Sequence, residues 1–177
     1  MRQRIVTGVG AGVVFAALAL LGGWYYNALM LLLAAIGLYE FVRLNGVNPR
    51  HPIVWTAYGG LFLIAFPWPA AGLAGPPAAS VVWCLLFALL AFTVLTKNDM
   101  TLDSAALLLL GAVYIGFGFA AMMEVRALEP HGLFWTALAF AAIWSSDSGA
   151  YFAGRADRKS TRLNSSHIQK SRMPSSA

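Results

Sequence analysis

Asp147 is the residue of this chain best placed to do chemistry. It stands in Trp144-Ser145-Ser146-Asp147-Ser148-Gly149-Ala150-Tyr151-Phe152-Ala153-Gly154-Arg155, a run otherwise apolar or small that reads as part of a membrane-crossing helix. A carboxylate at such depth is costly and is usually kept for a site. On a helix, positions 144, 147, 148, 151 and 155 share one face at spacings of three and four. That face carries Trp144, Asp147, Ser148, Tyr151 and Arg155, with Gly149 and Gly154 allowing close approach. Arg155 then lies about 12 Å along the axis from Asp147. Such a stripe could hold a divalent cation through Asp147 and an anionic phosphate through Arg155. The bland alternative is an Asp–Arg or Asp–Tyr network that only locks helices together.

The other polar residues read more quietly. Glu40, in Tyr39-Glu40-Phe41-Val42-Arg43, ends an apolar run and reads as a snorkelling, locally paired acid; a supporting role beside the Asp147 stripe is the alternative. Glu124, Arg126, Glu129 and His131 read as a solvated connection, and Asp103 as a helix cap. His51 and His167 have no partners at metal-ligand spacing. The single cysteine, Cys84, cannot form an internal disulfide and reads as a packing residue. No phosphate-binding P-loop, HExxH or GxGxxG pattern occurs.

The elements that must position these residues are membrane helices. The 177 residues are 59% hydrophobic and 11% charged, against about 25% charged in soluble domains. Ile5 to Tyr39 carries no charge, and as one helix would be about 52 Å long against a hydrocarbon core of about 30 Å. It must turn, and Gly22-Gly23 before the aromatic Trp24-Tyr25-Tyr26 is the natural place. The second charge-free stretch, Ile53 to Thr96, breaks at Pro67-Trp68-Pro69 and Pro76-Pro77. The expectation is an all-α polytopic integral membrane protein with about six transmembrane helices, at about 5–21, 24–42, 52–68, 78–95, 104–123 and 133–153. Residues 1–156 form the membrane domain, and 157–177 a polar, Ser-rich, disordered tail. Gly8 with Gly12, and Ala112, Gly116 and Ala120, are small-residue stripes expected at close helix contacts.

Charge gives the sidedness. The net charge of +5 is concentrated in the tail, where Arg158, Lys159, Arg162, Lys170 and Arg172 face one acid, Asp157. It is no argument for nucleic-acid binding. With a cytoplasmic N-terminus, the inner segments carry Arg2, Arg4, Arg43, Arg50, Lys97 and Arg155 and the outer ones only Arg126, as the positive-inside rule requires. A cleaved signal peptide over the first 21 residues is the alternative reading, and it would upset this balance.

Asp147-Ser148-Gly149-Ala150-Tyr151-Phe152-Ala153-Gly154-Arg155 resembles the D-[ST]-x-A-Y-x-x-G-[RK] segment of the phosphatidate cytidylyltransferase (CDP-diacylglycerol synthase) family. Arg4-Ile5-Val6-Thr7-Gly8 resembles that family's first span. Tyr39-Glu40-Phe41-Val42-Arg43-Leu44-Asn45-Gly46 resembles the end of its second, and Gly111-Ala112-Val113-Tyr114-Ile115-Gly116, with Arg126 after it, its fifth. The resemblance covers about 1–156. It implies transfer of a cytidylyl group from CTP to phosphatidic acid, with Mg2+ as cofactor, in a bacterial inner (cytoplasmic) membrane. Asp147 would be the catalytic, metal-liganding carboxylate, and Ser146, Ser148, Tyr151 and Arg155 the substrate-binding residues. The partners implied are CTP, phosphatidic acid and the lipid bilayer, with no nucleic acid; a homo-oligomer stays open. From Asp157 the chain departs from the family's pattern, lacking its later S-P-x-K-T-x-E-G and H-G-G-x-x-D-R motifs. Residues 1–156 are therefore expected to be an N-terminal part, inactive alone, and 157–177 a non-native tail; a genuine lipid-binding basic tail is the alternative. A small transporter or channel subunit using Asp147 as a cation site, and a purely structural membrane subunit, are the competing functions. The CDP-alcohol phosphotransferase pattern D-G-x2-A-R does not fit.

Overall fold

Glycines and prolines set most of the helix ends. The structure, a computed structural model, describes residues 2–96 and 100–170, with the side chains of 6–96 and 100–155. Lys97, used in the charge count, lies outside the described residues. Helix α1 spans Arg2–Leu21 and α2 Gly23–Leu44. Between them Gly22 adopts φ +66°, a left-handed conformation that glycine reaches at little steric cost. The turn therefore falls where the sequence places it.

Helix α3 spans Pro52–Ala65. Pro52 opens it with a pre-set φ. His51 caps it, its Nδ1 accepting the Ile53 backbone N–H at 3.3 Å, so the imidazole that lacked metal partners has a structural task. The helix stops short of the expected Trp68. Pro67 disfavours the helical conformation at the preceding residue, and Phe66 is extended at φ −62°, ψ 132°. A 3-10 turn, Pro69–Ala71, follows and closes on Gly72 at φ +71°. The Trp68 indole N–H donates back to the Leu63 carbonyl at 3.1 Å.

Helix α4, Ala78–Leu95, begins just after Pro77, as expected. Helix α5, Leu102–Ala127, is longer than expected. Its cap is Thr101 and not Asp103: Thr101 Oγ1 accepts the Ser104 N–H at 3.2 Å, while Asp103 sits in the first turn. Helix α6 runs from Gly132 to Lys170. The stretch 157–170, expected without regular structure, is thus helical in its backbone. No glycine or proline interrupts 156–173, and Arg, Lys, Leu and Gln there are good helix formers. The rest of the tail, 171–177, lies outside the described residues.

The chain divides into two compact units, Met1–Leu133 and Phe134–Ala177. In the first, α2–α5 share a core of Ala34, Leu38, Ile53, Val54, Ala57, Leu61, Leu85, Leu89, Leu108 and Ala112. On α4 the buried positions Val81, Leu85, Leu89 and Thr93 repeat every four residues, one stripe of a helix apolar all round. Glycines let the helices approach. A Cβ on Gly60 would lie 2.5 Å from a Leu85 methyl, and one on Gly116 would lie 3.1 Å from Ile64 Cγ2. The α5 small-residue stripe is therefore a true contact at Ala112 and Gly116. The Gly8–Gly12 pair is not: a Cβ on either meets nothing within 4 Å among the described residues. Small residues at this spacing permit an approach; they do not supply the partner.

Large apolar side chains face outward, Trp83 and Phe87 being 60% and 67% exposed. Lipid, as apolar as the core, accepts them. Three described helices, α2, α4 and α5, are long and apolar enough to span a bilayer; the apolar part of α1, Val6–Leu21, and α3 are shorter. The chain is an all-helical, polytopic membrane protein, with no strand among the described residues.

Candidate functional site

Helix α6 carries the candidate site within the second unit. Because α6 is continuous over Gly132–Lys170, Trp144, Asp147, Ser148, Tyr151 and Arg155 do share one face. Ser146, beside Asp147 in sequence, projects from a different face. Ser145 Oγ donates to the Ala141 carbonyl at 2.6 Å, a back-bond within the helix. Trp144 leans on Phe140 with ring centroids 6.1 Å apart, and Tyr151 meets Phe152 edge-on at 5.6 Å.

Every residue from 141 to 155 is exposed. Within the second unit, Asp147 stands on an exposed helix face. Neither an Asp147–Arg155 nor an Asp147–Tyr151 lock forms among the described residues; Arg155, eight residues on, is about 12 Å farther along the axis. Three or more clustered His, Cys, Asp or Glu side chains that could hold a metal occur nowhere among the described residues. Asp147 offers one hard oxygen ligand. Magnesium is often bound through one or two carboxylates plus substrate phosphates, so Asp147 fits as one member of a set and not as a whole site.

In the first unit, Glu40 and Arg43 are both exposed at the end of α2, and no ion pair joins them among the described residues. The segment around them has structural work of its own. Asn45 Nδ2 donates to the Phe41 carbonyl at 2.8 Å, Gly46 turns the chain at φ +74°, and Val42 is buried. Phe41 lies over Gly111, where a Cβ would come within 2.7 Å of its ring. Two segments that look unrelated in sequence thus interlock.

Arg126 is the residue that sequence reasoning missed. It was expected in solvent. Instead its Nε donates to the Ala19 carbonyl at 2.9 Å and its Nη2 to the Leu20 carbonyl at 3.2 Å. A cation there satisfies carbonyls left over at the end of α1. It also explains Gly22 a second time, since a Cβ would sit 2.5 Å from Nη2. No local signal in the sequence announces a contact between residues so far apart.

With the motif residues placed, the whole chain can be compared with known proteins. It matches the cytidylyltransferase family over residues 2–165. The chain belongs to this family. The match runs past Ala156. Among its relatives is the phosphatidate cytidylyltransferase of Bacillus subtilis (strain 168), 32% identical over 157 residues, 88% of this chain and 58% of that protein. The phosphatidate cytidylyltransferase of Staphylococcus saprophyticus is 32% identical over 156 residues, with the same coverage. That of Staphylococcus haemolyticus is 31% identical over 156 residues, again covering 88% and 58%. The chain therefore spans 58% of the length of these curated relatives. No solved structure matches it. In this chain, the Phe41–Gly111 contact and the Arg126 cap give those two segments a physical reason, namely holding the helices together.

Proposed function

We propose that this chain is part of a phosphatidate cytidylyltransferase and carries one wall of its active site on α6. The single observation behind this is the family match over residues 2–165, which includes the Asp147–Arg155 face. In the reaction, a phosphate oxygen of phosphatidic acid attacks the α-phosphorus of CTP. A new P–O–P bond forms, the bond to the β-phosphate breaks, and pyrophosphate leaves with its electron pair. The step needs in-line positioning and stabilisation of charge on the transferred phosphoryl group.

Arg155 would hold a phosphate through its guanidinium fork, whose planar donors match two phosphate oxygens. Ser148 and Tyr151 would donate hydroxyl hydrogen bonds to substrate oxygens, while Ser146, on another face of α6, would not reach them. Asp147 would be a ligand of Mg2+, which when bound neutralises phosphate oxygens. The positive-inside charge balance supports an orientation with the N-terminus and Arg155 in the cytosol, where CTP is found, and a multi-pass position in the bacterial inner membrane.

The test is a chimera in which residues 1–156 replace the corresponding part of the Bacillus subtilis relative, in cells depleted of their own enzyme. Radiolabelled CTP should enter lipid, and Asp147→Asn should abolish that incorporation. A chimera that works equally well with Asp147→Asn removes Asp147 from the site.

A further inference from the structure

The first unit contains a cavity of about 270 Å³ at the end of α2 opposite Arg43. It is lined by Leu63, Phe66, Phe117, Ala120 and Met123, with Asn27, Glu124 and the Trp68 indole as its side-chain polar groups; the indole N–H is already engaged by the Leu63 carbonyl. Asn27 is 8% exposed, and its amide has no hydrogen-bond partner among the described residues. The amide lines the cavity and stays reachable from it, the Tyr26 hydroxyl being the buried side-chain polar atom that has no partner among the described residues. Its two donors and one acceptor oxygen, those of Asn27, are therefore available to a ligand that enters the cavity.

Two observations identify the kind of ligand. The mouth lies among aromatic rings, with Trp24 and Phe66 centroids 6.3 Å apart and Phe66 and Trp68 4.8 Å apart. Such rings favour the level where acyl chains meet headgroups. The charge is acidic and uncompensated. Glu124 is exposed at the rim, and nearby Arg126 is turned to the carbonyls of Ala19 and Leu20. A phosphate headgroup would be repelled. An uncharged head with a hydroxyl and an ester carbonyl would suit both groups, the hydroxyl donating to the Glu124 carboxylate and the carbonyl accepting from Asn27 Nδ2. The volume lies just below the roughly 300–1,000 Å³ of drug-sized ligand pockets, so it takes part of one chain and not a two-chain lipid.

We infer that this cavity binds a neutral, single-chain glyceride, with its acyl chain among Leu63, Phe66, Phe117 and Met123 and its glycerol head on Asn27 and Glu124.

The full chain in phosphatidylcholine nanodiscs tests this with two photoactivatable probes. One is a monoacylglycerol with a mid-chain diazirine; the other is the phosphate monoester of the same molecule. After irradiation, mass spectrometry should find the neutral probe on residues 63–66 and 117–123, above the labelling of the lipid-facing Trp83 and Phe87. The phosphate probe should label the cavity about tenfold less, a difference of roughly 1.4 kcal/mol. Asn27→Leu should reduce cavity labelling about fivefold, the size of one lost hydrogen bond. Ala120→Phe, which fills the space, should remove it while labelling of Trp83 and Phe87 persists. Equal labelling of the cavity and the lipid-facing α4 residues overturns the inference. So does equal labelling by the two probes, whether or not the variants fold.

Discussion

The ring of Phe41 occupies the space that a side chain on Gly111 would need, a Cβ there falling 2.7 Å from Cδ1 and 2.8 Å from Cε1. The contact ties the end of α2 to the middle of α5. It explains why an aromatic residue near the Glu40–Arg43 turn and a glycine far along the chain belong together. A valine at 111 must push the ring aside in a packed interior.

Gly111→Val should lower stability by about 1–3 kcal/mol, the usual cost of overpacking. Adding Phe41→Leu should recover part of the loss. Thermal unfolding in detergent reads both, and an unchanged midpoint for Gly111→Val would show that the contact is loose.

Arg126→Met keeps an aliphatic stem and removes the donors. Hydrogen bonds to a charged group are worth about 1.5–3 kcal/mol, so amide exchange at the end of α1 should accelerate about 10- to 100-fold. Arg126→Lys should rescue little, since an ammonium lacks the guanidinium's fixed fork of donors. Equal exchange in all three proteins would remove the cap.

The N-terminus of α5 separates two similar candidates. Thr101→Ala should cost about 0.5–2 kcal/mol as a lost cap. Asp103→Asn should cost about 0.3–1 kcal/mol, as a lost charge near a helix N-terminus. Denaturant midpoints of the two variants decide, and a larger effect at Asp103 would restore the acid as the cap.

Asp147→Asn and Arg155→Gln should change the stability of this chain by no more than about 0.5 kcal/mol, because both side chains are exposed. In the chimera the same changes should cut cytidylyl transfer by about 100-fold or more, the scale of a lost charge-stabilising group. Destabilisation of the chain itself would instead favour a purely structural stripe.

Orientation can be read by thiol labelling in a Cys84→Ser background. A cysteine at Asn48 should be reached only from the cytosolic side, and one at Leu73 only from the opposite side. The reverse pattern would invert the topology and with it the cytosolic opening proposed for α6.

Punctuation residues were the legible part of the sequence. Gly22, Pro67 and Pro77 each act locally, so the turn after α1, the break after α3 and the start of α4 follow from residue type alone. The buried faces were less legible. Lipid-facing and core-facing positions are equally apolar, so nothing in the composition of α4 separates Leu85 from Phe87. The site was half legible. Helical spacing does put Asp147, Tyr151 and Arg155 on one face, but spacing says nothing of what covers that face. Arg126 was misread because its partners, Ala19 and Leu20, are backbone carbonyls on a distant helix, and carbonyls leave no mark in a sequence.

Helix α3 has 14 residues, a rise of about 21 Å against a hydrocarbon thickness of about 30 Å. The uncharged Pro67–Pro77 connection follows it directly. It folds its own indole donor back onto the Leu63 carbonyl and offers apolar surface such as Leu73. It can therefore settle among the acyl ends of the leaflet instead of standing in water. Thickness becomes a variable for this protein: a thinner bilayer would strand that connection, and a thicker one would draw it deeper.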